Sequence, residues 1–224
     1  MTEPAIVPVI VARAGRAEDI PFLARIIEIA STPPFPQSPL RQVLDPVDTS
    51  TLPFLEVVLA EDAFAWGLIA DFVVLTVDGN PAAACAVFLP DAGNRHPLRM
   101  DRMPAVAARL GWDGARLQAF RAAYDSAFTP EDEAMLTPLA GAILEAVGVL
   151  PEFRGLGLGD RLMQEAKAAA RVKGAADLAV GAIAGNDPAH RLYARHFAPV
   201  VTFHAAHFDG QFPGETKYRA VLAA

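Results

Sequence analysis

Three glycines stand at alternate positions in Pro151-Glu152-Phe153-Arg154-Gly155-Leu156-Gly157-Leu158-Gly159-Asp160-Arg161-Leu162, between an apolar run and an amphipathic one. Glycine has no Cβ, so a chain built this way can turn tightly and bring its N–H groups against a ligand. The first N–H groups of a helix have no internal partner, and the helix dipole favours an anion beside them. A loop of this kind at a helix mouth is a pyrophosphate site. The N–H groups of Gly155, Leu156, Gly157, Leu158 and Gly159 would line it, with Arg154 and Arg161 adding positive charge. The bland alternative is a helix start with loop glycines and no ligand. A P-loop would need Lys and Ser or Thr after the last glycine, where Asp160 and Arg161 stand. A dinucleotide fingerprint would need the third glycine one residue later, and a place early in the chain.

Proton transfer needs a titratable group near this site, and Glu145 is the best candidate for a base. It lies among Ile143, Leu144 and Val147, where a carboxylate resists ionisation and its pKa rises. Four residues separate it from Val149, so simple strand alternation would put the two on one face. The alternative is an edge-exposed or salt-bridged glutamate. His190, His204 and His207 are further candidates. His204 and His207, three apart, cannot share a strand face, and no third ligand has suitable spacing, so no metal site is expected. The single cysteine, Cys85, sits between Ala84 and Ala86; it excludes an intrachain disulfide and reads as a small core residue. Trp66 and Trp112 also read as core.

A strand over residues 142–150 must lead into the loop and a helix over residues 159–173 must leave it. Leu162, Met163, Ala166 and Ala169-Ala170 form that helix's apolar stripe, and Gly174 ends it. Gly148, inside the strand, marks a bulge or a close backbone approach. A strand over 178–183 follows, then a helix opened by Asp187-Pro188, capped by Asn186 and running to about His196, then strands over 200–203 and 217–222. Upstream, a β-rich run covers residues 6–11. Glu18, Asp19 and Pro21 open an amphipathic helix over about residues 18–30. A proline-rich loop covers 31–39, and a second helix is expected over 57–66. Apolar runs at 72–77 and 82–89 flank Asp78-Gly79-Asn80-Pro81 and read as a hairpin. Residues 90–140 read as a helical insertion within one domain spanning 1–224. It has helices near 103–110 and 114–127 and a third after Thr129-Pro130-Glu131. Phe120, Tyr124 and Phe128, at four-residue spacing, would either line an acceptor site or pack the insertion onto the core.

At the glycine loop the sequence resembles the GNAT superfamily of N-acetyltransferases, whose motif Gln/Arg-x-x-Gly-x-Gly/Ala is matched by Arg154, Gly157 and Gly159. Residues 149–153 resemble its lead-in. Asn186-Asp187-Pro188-Ala189-His190-Arg191-Leu192-Tyr193-Ala194-Arg195-His196-Phe197 resembles its second helix motif, Asn-x-x-Ala-x-x-Leu-Tyr-x-x-x-Gly-Phe, and Arg13, Ala17, Glu18 and Asp19 its usual beginning. The resemblance covers residues 6–89 loosely and 142–203 well. It has two departures, neither within the glycine loop. His196 stands where the family has a helix-ending glycine, a left-handed position that His adopts at some cost. Residues 90–140 exceed the family's usual link.

The resemblance implies an α/β fold with a mixed, mostly antiparallel central sheet flanked by helices, here with a helical insertion. It implies acetyl-CoA as cosubstrate and direct attack of a primary amine on the thioester. Val147, Gly148 and Val149 would offer backbone N–H groups to the developing oxyanion, with Gly148 the easiest place for the strand to bulge. Arg154 to Gly159 would hold the pyrophosphate and Asn186 the pantetheine arm. Tyr193 would protonate the departing thiolate. Phe35 and the proline-rich loop would form a wall of the acceptor site.

Hydrophobic residues make up 53% of the 224 and charged residues 20%, enough for a sizeable core and too little charge for a disordered chain. The net charge of -7, without a dense Lys/Arg run, argues against nucleic acid as a partner. No apolar run reaches the roughly 20 residues of a membrane span, and no signal peptide is evident, so a cytoplasmic protein without membrane contact is expected. The expected partner is a small-molecule or peptide amine; a homodimer is left open. Two rivals stay in play: a degenerate domain that binds acyl-CoA without catalysis, and transfer of a larger acyl group or transfer to a hydroxyl.

Overall fold

Asp78 and Gly79 carry φ of 49° and 84°. Two consecutive positive φ values are what a two-residue hairpin turn requires, and they join β2 (Phe72–Val77) to β3 (Asn80–Phe88) in antiparallel register. In the computed structural model, residues 8–127, 133–204 and 214–223 are described. Around this hairpin the chain builds a seven-stranded sheet with β1 (Ile10–Ala14), β4 (Ala142–Val149), β5 (Asp177–Ile183), β6 (Ala198–Phe203) and β7 (Glu215–Val221). The spatial order is β1-β2-β3-β4-β5-β7-β6. Only β4 and β5 run parallel, and a parallel pair needs a crossover. The helix Leu158–Val172 makes that crossover. The sheet is therefore mixed and mostly antiparallel, as expected.

The helices are α1 (Ile20–Ser31), α2 (Leu40–Leu44), α3 (Thr51–Ala60), α4 (Met103–Leu110), α5 (Gly114–Ala127), α6 (Glu133–Leu136), α7 (Leu158–Val172) and α8 (Asp187–Ala194). They divide between the two faces of the sheet. Ala84 and Ala86 of β3 pack with α1, α3, α4 and α5, whereas Ala83, Cys85 and Val87 pack with α7 and α8. Small side chains on both faces let helices approach the middle strand from either side. Cys85 is fully buried there and free. The Arg13 and Asp19 signature is a structural lock. Both guanidinium nitrogens donate to the buried Asp19 carboxylate, at 2.6 and 2.7 Å, and the Arg16 N–H adds a third bond at 2.9 Å.

The second helix occupies Thr51–Ala60 rather than 57–66. Pro53 lies in its first turn, where a missing N–H costs nothing, and the chain leaves the helix through Asp62, with φ 51°. The short α2 was not anticipated. The helices over 103–110 and 114–127 stand where the sequence put them. Thr129-Pro130-Glu131, Phe128, His207 and residues 6–7 lie outside the described residues.

Phe120 and Tyr124 face inward. Phe120 packs 5.5 Å from Phe54 and 5.3 Å from Trp112, ring centre to ring centre, and Tyr124 stacks on Phe120 at 5.9 Å. The Tyr124 hydroxyl accepts the Leu98 N–H at 3.2 Å, and Trp112 donates its indole N–H to Thr49. Burying an aromatic ring contributes roughly 1.5–3 kcal/mol, so this stripe fastens the insertion to the core. Among the described residues no helix is long and apolar enough to cross a membrane.

Candidate active site

The glycine loop is exposed, and its first two glycines are required by conformation. Gly155 and Gly157 have φ of 83° and 73°, and a Cβ on either would meet nothing within 4 Å. Gly159 is required by contact: a Cβ there would lie 3.3 Å from Leu192, so it lets α8 approach α7. The first intrahelical bond of α7 is given by the Arg161 N–H to the Gly157 carbonyl. The N–H groups of Leu158, Gly159 and Asp160 therefore have no partner within the helix and face the loop mouth.

Among the described residues, the charges around the loop are tied off, with Arg154 as the exception. Arg161 is paired with Glu165 at 2.6 Å, so it is not the free cation expected from sequence. Asp160, a carboxylate that would repel a phosphate, is held by Arg195 at 2.9 Å and His196 at 2.7 Å. Those partners keep its carboxyl below the usual carboxylate range, His196 contributing most. This also accounts for His196 in the glycine position. It is not left-handed, contrary to what the motif implies, but reaches across to Asp160 on α7. Arg154 stays exposed beside the loop, with its N–H on the Pro151 carbonyl at 3.3 Å.

The strand before the loop carries a bulge, but not at Gly148. The register runs Ala86↔Glu145 and then Ala84↔Gly148, so two residues, Ala146 and Val147, oppose Cys85 alone. Ala146 takes the strain, with φ 50°, a conformation that costs a residue with a Cβ roughly 1–2 kcal/mol. Gly148 is small for another reason: a Cβ would lie 3.1 Å from the Ile26 side chain and 3.2 Å from the Ile26 carbonyl oxygen, where α1 crosses the strand. The extra residue also reverses the alternation. Glu145 pairs with Ala86 on the α1 face and Val149 with Ala83 on the α7 face. The two do not share a face, contrary to the simple count.

From Glu145, just before the bulge, β4 leaves β5. The parallel pairing covers Ala142↔Leu178, Ile143↔Ala179 and Leu144↔Val180 and then stops, while β5 continues along β7 to Ile183. A bulge bends the strand that carries it, and the result is a gap between Glu145–Val149 on one side and the end of β5 on the other. The Leu150 N–H donates to Ala82 of the hairpin at 2.9 Å. Successive N–H groups of an extended strand point to opposite sides, so that of Val149 points into the gap.

Glu145 lines a cavity of about 50 Å³ on the α1 side of this gap, with Trp66, Phe88, Ile143, Arg95 and Lys217. Burial pushes its carboxyl up to about 8; the charge of Glu215 adds to the rise and Lys217 opposes it. Sequence reasoning found Glu145 but missed Glu215 and Lys217, which enter from β7, 70 or more residues downstream. The proline-rich loop reaches the same end of the sheet, where Pro34 lies against Gly185 just after β5. The insertion contributes its two ends to the cavity, through Pro90, Asp91 and Asn94 and through Leu136 and Pro138, whereas α4 and α5 supply none of its lining.

Tyr193 is buried on the other face, edge-on to Tyr218 and Phe197 with ring centres 6.0 and 6.4 Å away. Burial holds its phenol above the usual value, with the charge of Glu145 adding, so it is protonated at neutral pH. The Asn186 side chain accepts the Ala189 N–H at 3.3 Å and caps α8. His190 is tied at both nitrogens. Nε2 donates to the Ile183 carbonyl at 3.1 Å, and Nδ1 lies within hydrogen-bond reach of the Tyr218 hydroxyl at 2.8 Å. Among the described residues no cluster could hold a metal ion.

Residues 126–198 match the model of the acetyltransferase (GNAT) family, a span that takes in β4, the glycine loop and α8. No curated protein matches the chain. Solved structures with the same architecture include the yncA protein of Salmonella typhimurium with its cofactor acetyl-CoA. It is 15% identical, with a TM-score of 0.53 over 96% of this chain and 94% of that one. The acetyltransferase of GNAT family from Streptococcus pneumoniae is 13% identical, with a TM-score of 0.53 over 96% and 100%. The polyamine N acetyltransferase of Drosophila melanogaster is 16% identical, with a TM-score of 0.50 over 96% and 100%. At these identities the likeness is one of fold, and the fold is that of the GNAT acetyltransferases.

Proposed function

We propose that this chain, a GNAT acetyltransferase by its fold and by the match over residues 126–198, transfers an acetyl group from acetyl-CoA to a primary amine by direct attack. The observation that carries this reading is the gap between β4 and β5, with a proton acceptor on one face and a proton donor on the other. Acetyl-CoA supplies the activated thioester; this chain's residues bind, orient and move protons. The N–H groups at the start of α7 and the left-handed glycines before it suit a pyrophosphate, and Arg154 adds a cation. Asn186 stands beside the path of the pantetheine arm.

Val149 donates its N–H to the carbonyl oxygen as that oxygen becomes negative. A fixed donor in a site of low dielectric favours the transition state over the ground state. Glu145 takes a proton from the incoming ammonium, which frees the nitrogen lone pair. Its raised pKa makes it a stronger base than an ordinary carboxylate. Tyr193 approaches the departing sulfur from the opposite face. Its phenol is a weaker acid than a thiol, so it acts as a hydrogen-bond donor that shares its proton with the thiolate.

Calorimetry with acetyl-CoA, followed by thiol release across a panel of primary amines, tests the reading. Binding with turnover of at least one amine is expected. Tight binding without turnover would point to a degenerate acyl-CoA-binding domain, and absence of binding would reject the reading altogether.

A further inference from the structure

Glu215 is the first residue of β7 and pairs with Ile183, the last of β5. Its side chain leans back along β5. A Cβ placed on Gly181 would lie 1.4 Å from the Glu215 Oε1 atom and 2.6 Å from its carboxyl carbon. The carboxylate thus fills the space of the side chain that residue 181 lacks. Gly181 is one step beyond Val180, and Glu145 is one step beyond Leu144, the pair at which β4 and β5 separate. Equivalent positions on neighbouring parallel strands share a face and start about 5 Å apart. The Glu215 carboxylate therefore stands beside Glu145 across the opening of the gap. Lys217, paired with Gly181 from the far side, completes the group.

These charges are poorly compensated. Among the described residues neither glutamate is in an ion pair, and Lys217 gives its ammonium to the Thr137 carbonyl at 3.2 Å and lies 6.0 Å over the Phe203 ring. Holding two half-buried carboxylates side by side without a paired cation is unfavourable, and a cationic ligand would offset that cost. With both carboxyls ionised, their sum with Lys217 is one negative charge, which complements one ammonium, and a bound cation would favour that ionised form.

We propose that Glu215 is a specificity-determining residue of the acceptor site, which together with Glu145 receives the ammonium group of a cationic primary amine. This rests on the acetyl-transfer reading above. An alkylammonium offers three N–H donors, and two carboxylates on one face can accept from it at once. One of its protons passes to the pair before attack and frees the nitrogen lone pair; a second leaves the nitrogen as the tetrahedral adduct collapses and goes to the departing thiolate, and the pair returns the first to water when the amide leaves. The small cavity lined by Trp66, Phe88 and Ile143 suits the first carbons of an aliphatic chain. A hydroxyl or an aromatic amine, uncharged at neutral pH, would lack this attraction.

The test uses the full chain with acetyl-CoA and two probes, propylamine as a cation and aniline as a neutral acceptor. Glu215→Gln should raise KM for propylamine about tenfold or more and lower the propylamine-to-aniline ratio of kcat/KM by a similar factor, with KM for acetyl-CoA unchanged. Gly181→Ala, which evicts the carboxylate, should reproduce that shift. Lys217→Met removes the opposing cation and should lower KM for propylamine. A pH profile adds a readout that a packing role would not move. The groups facing Glu145 are Glu215 and Lys217 from β7, Tyr193 from α8, and Asp91 and Arg95 from the segment after β3. Removing the Glu215 charge should shift the acid limb of kcat/KM to lower pH. An unchanged ratio in Glu215→Gln and Gly181→Ala would overturn the proposal. So would a parent protein that binds acetyl-CoA but accepts aniline alone or neither probe. Failure of the parent to bind acetyl-CoA would instead reject the acetyl-transfer reading. If Glu215→Gln does not fold, Gly181→Ala and the opposite sign of Lys217→Met decide the question.

Discussion

The glycine loop and the acceptor face meet at one gap but are built by different means. The loop is a contiguous stretch that works with backbone N–H groups, and its charged side chains are largely neutralised by local partners, Arg161 by Glu165 and Asp160 by Arg195 and His196. The acceptor face draws Trp66, Glu145, Glu215 and Lys217 from separate parts of the chain, works with side chains, and leaves its carboxylates unpaired among the described residues. A reagent with an invariant phosphate is suited to backbone geometry, whereas choice among acceptors needs side-chain chemistry. Damage to the loop should therefore affect every acceptor alike, and damage to the face should discriminate between them.

The largest effect is expected at Glu145. Glu145→Gln should lower kcat/KM at neutral pH by about 100-fold or more, the usual loss when a general base is removed. In the parent protein kcat/KM should rise with pH through about 7–8, since Glu145 and Glu215 have carboxyls raised to about 8 and about 7, mainly by burial. Stability should move the other way. A carboxyl whose folded-state pKa is raised contributes stability that is present below its unfolded value and is lost as pH rises through the folded value. Glu145→Gln should thus melt higher than the parent at pH 9 and lose that advantage towards pH 4. A variant that is inactive and no more stable at pH 9 would mean that Glu145 ionises without penalty, which would break the contrast between the two regions.

Tyr193→Phe comes next. If the phenol assists only the departing sulfur, kcat should fall by about 10-fold or more while affinity for acetyl-CoA stays the same, because only a transition-state interaction is lost. Unchanged turnover, measured where chemistry limits the rate, would reduce Tyr193 to a wall residue packed on Tyr218 and Phe197.

Gly157 probes the loop itself. A Cβ there meets no atom within 4 Å, so the first cost is one of φ, 73°. Gly157→Val should weaken acetyl-CoA binding by about tenfold, from roughly 1–2 kcal/mol of left-handed strain. Gly157→Asn, which tolerates this region, should recover most of the loss. Both should leave the ratio between two amine acceptors untouched. A changed ratio would show that the loop and the face are not separable.

Legibility in the sequence follows the same division. The loop, α7, β5 and α8 could be read because each signal is local: glycines at fixed offsets, an Asn cap, an apolar stripe. Glu145 could be read for its apolar neighbours, but its face could not, because the bulge at Ala146 has no sequence mark and sits on an ordinary alanine. Gly148 carried a true signal with two meanings, and close approach by Ile26 was the right one. Glu215 was illegible, since its role depends on Gly181, 34 residues away in sequence and adjacent only through sheet register. The α3 boundary was missed because Pro53 reads as a breaker unless the helix is already known to start two residues before it.

The smallest effect is expected in the insertion, and it decides how far the acceptor face extends. Tyr124 lies at the seam: its ring stacks on Phe120 inside the core, and its hydroxyl accepts the Leu98 N–H close to the segment whose Asn94 and Arg95 line the cavity. Tyr124→Phe keeps the ring and removes the hydroxyl, leaving the buried Leu98 N–H unpaired. That should cost about 1 kcal/mol or somewhat more, read as a lower Tm. The ring contacts that hold α5 against Phe54 and Trp112 survive, so the cavity should keep its shape and the propylamine-to-aniline ratio should stay within twofold or so of the parent. Tyr124→Ala would also remove the ring and leave a void, costing about 3–5 kcal/mol as other large-to-small aromatic changes do. It could distort the cavity secondarily, which makes it the poorer test. A lowered Tm with an unchanged ratio in Tyr124→Phe would confine acceptor choice to the sheet and to the ends of the insertion. A changed ratio at unchanged Tm would mean that the Leu98 hydrogen bond sets the position of Asn94 and Arg95, and the acceptor face would then reach into the helices of the insertion.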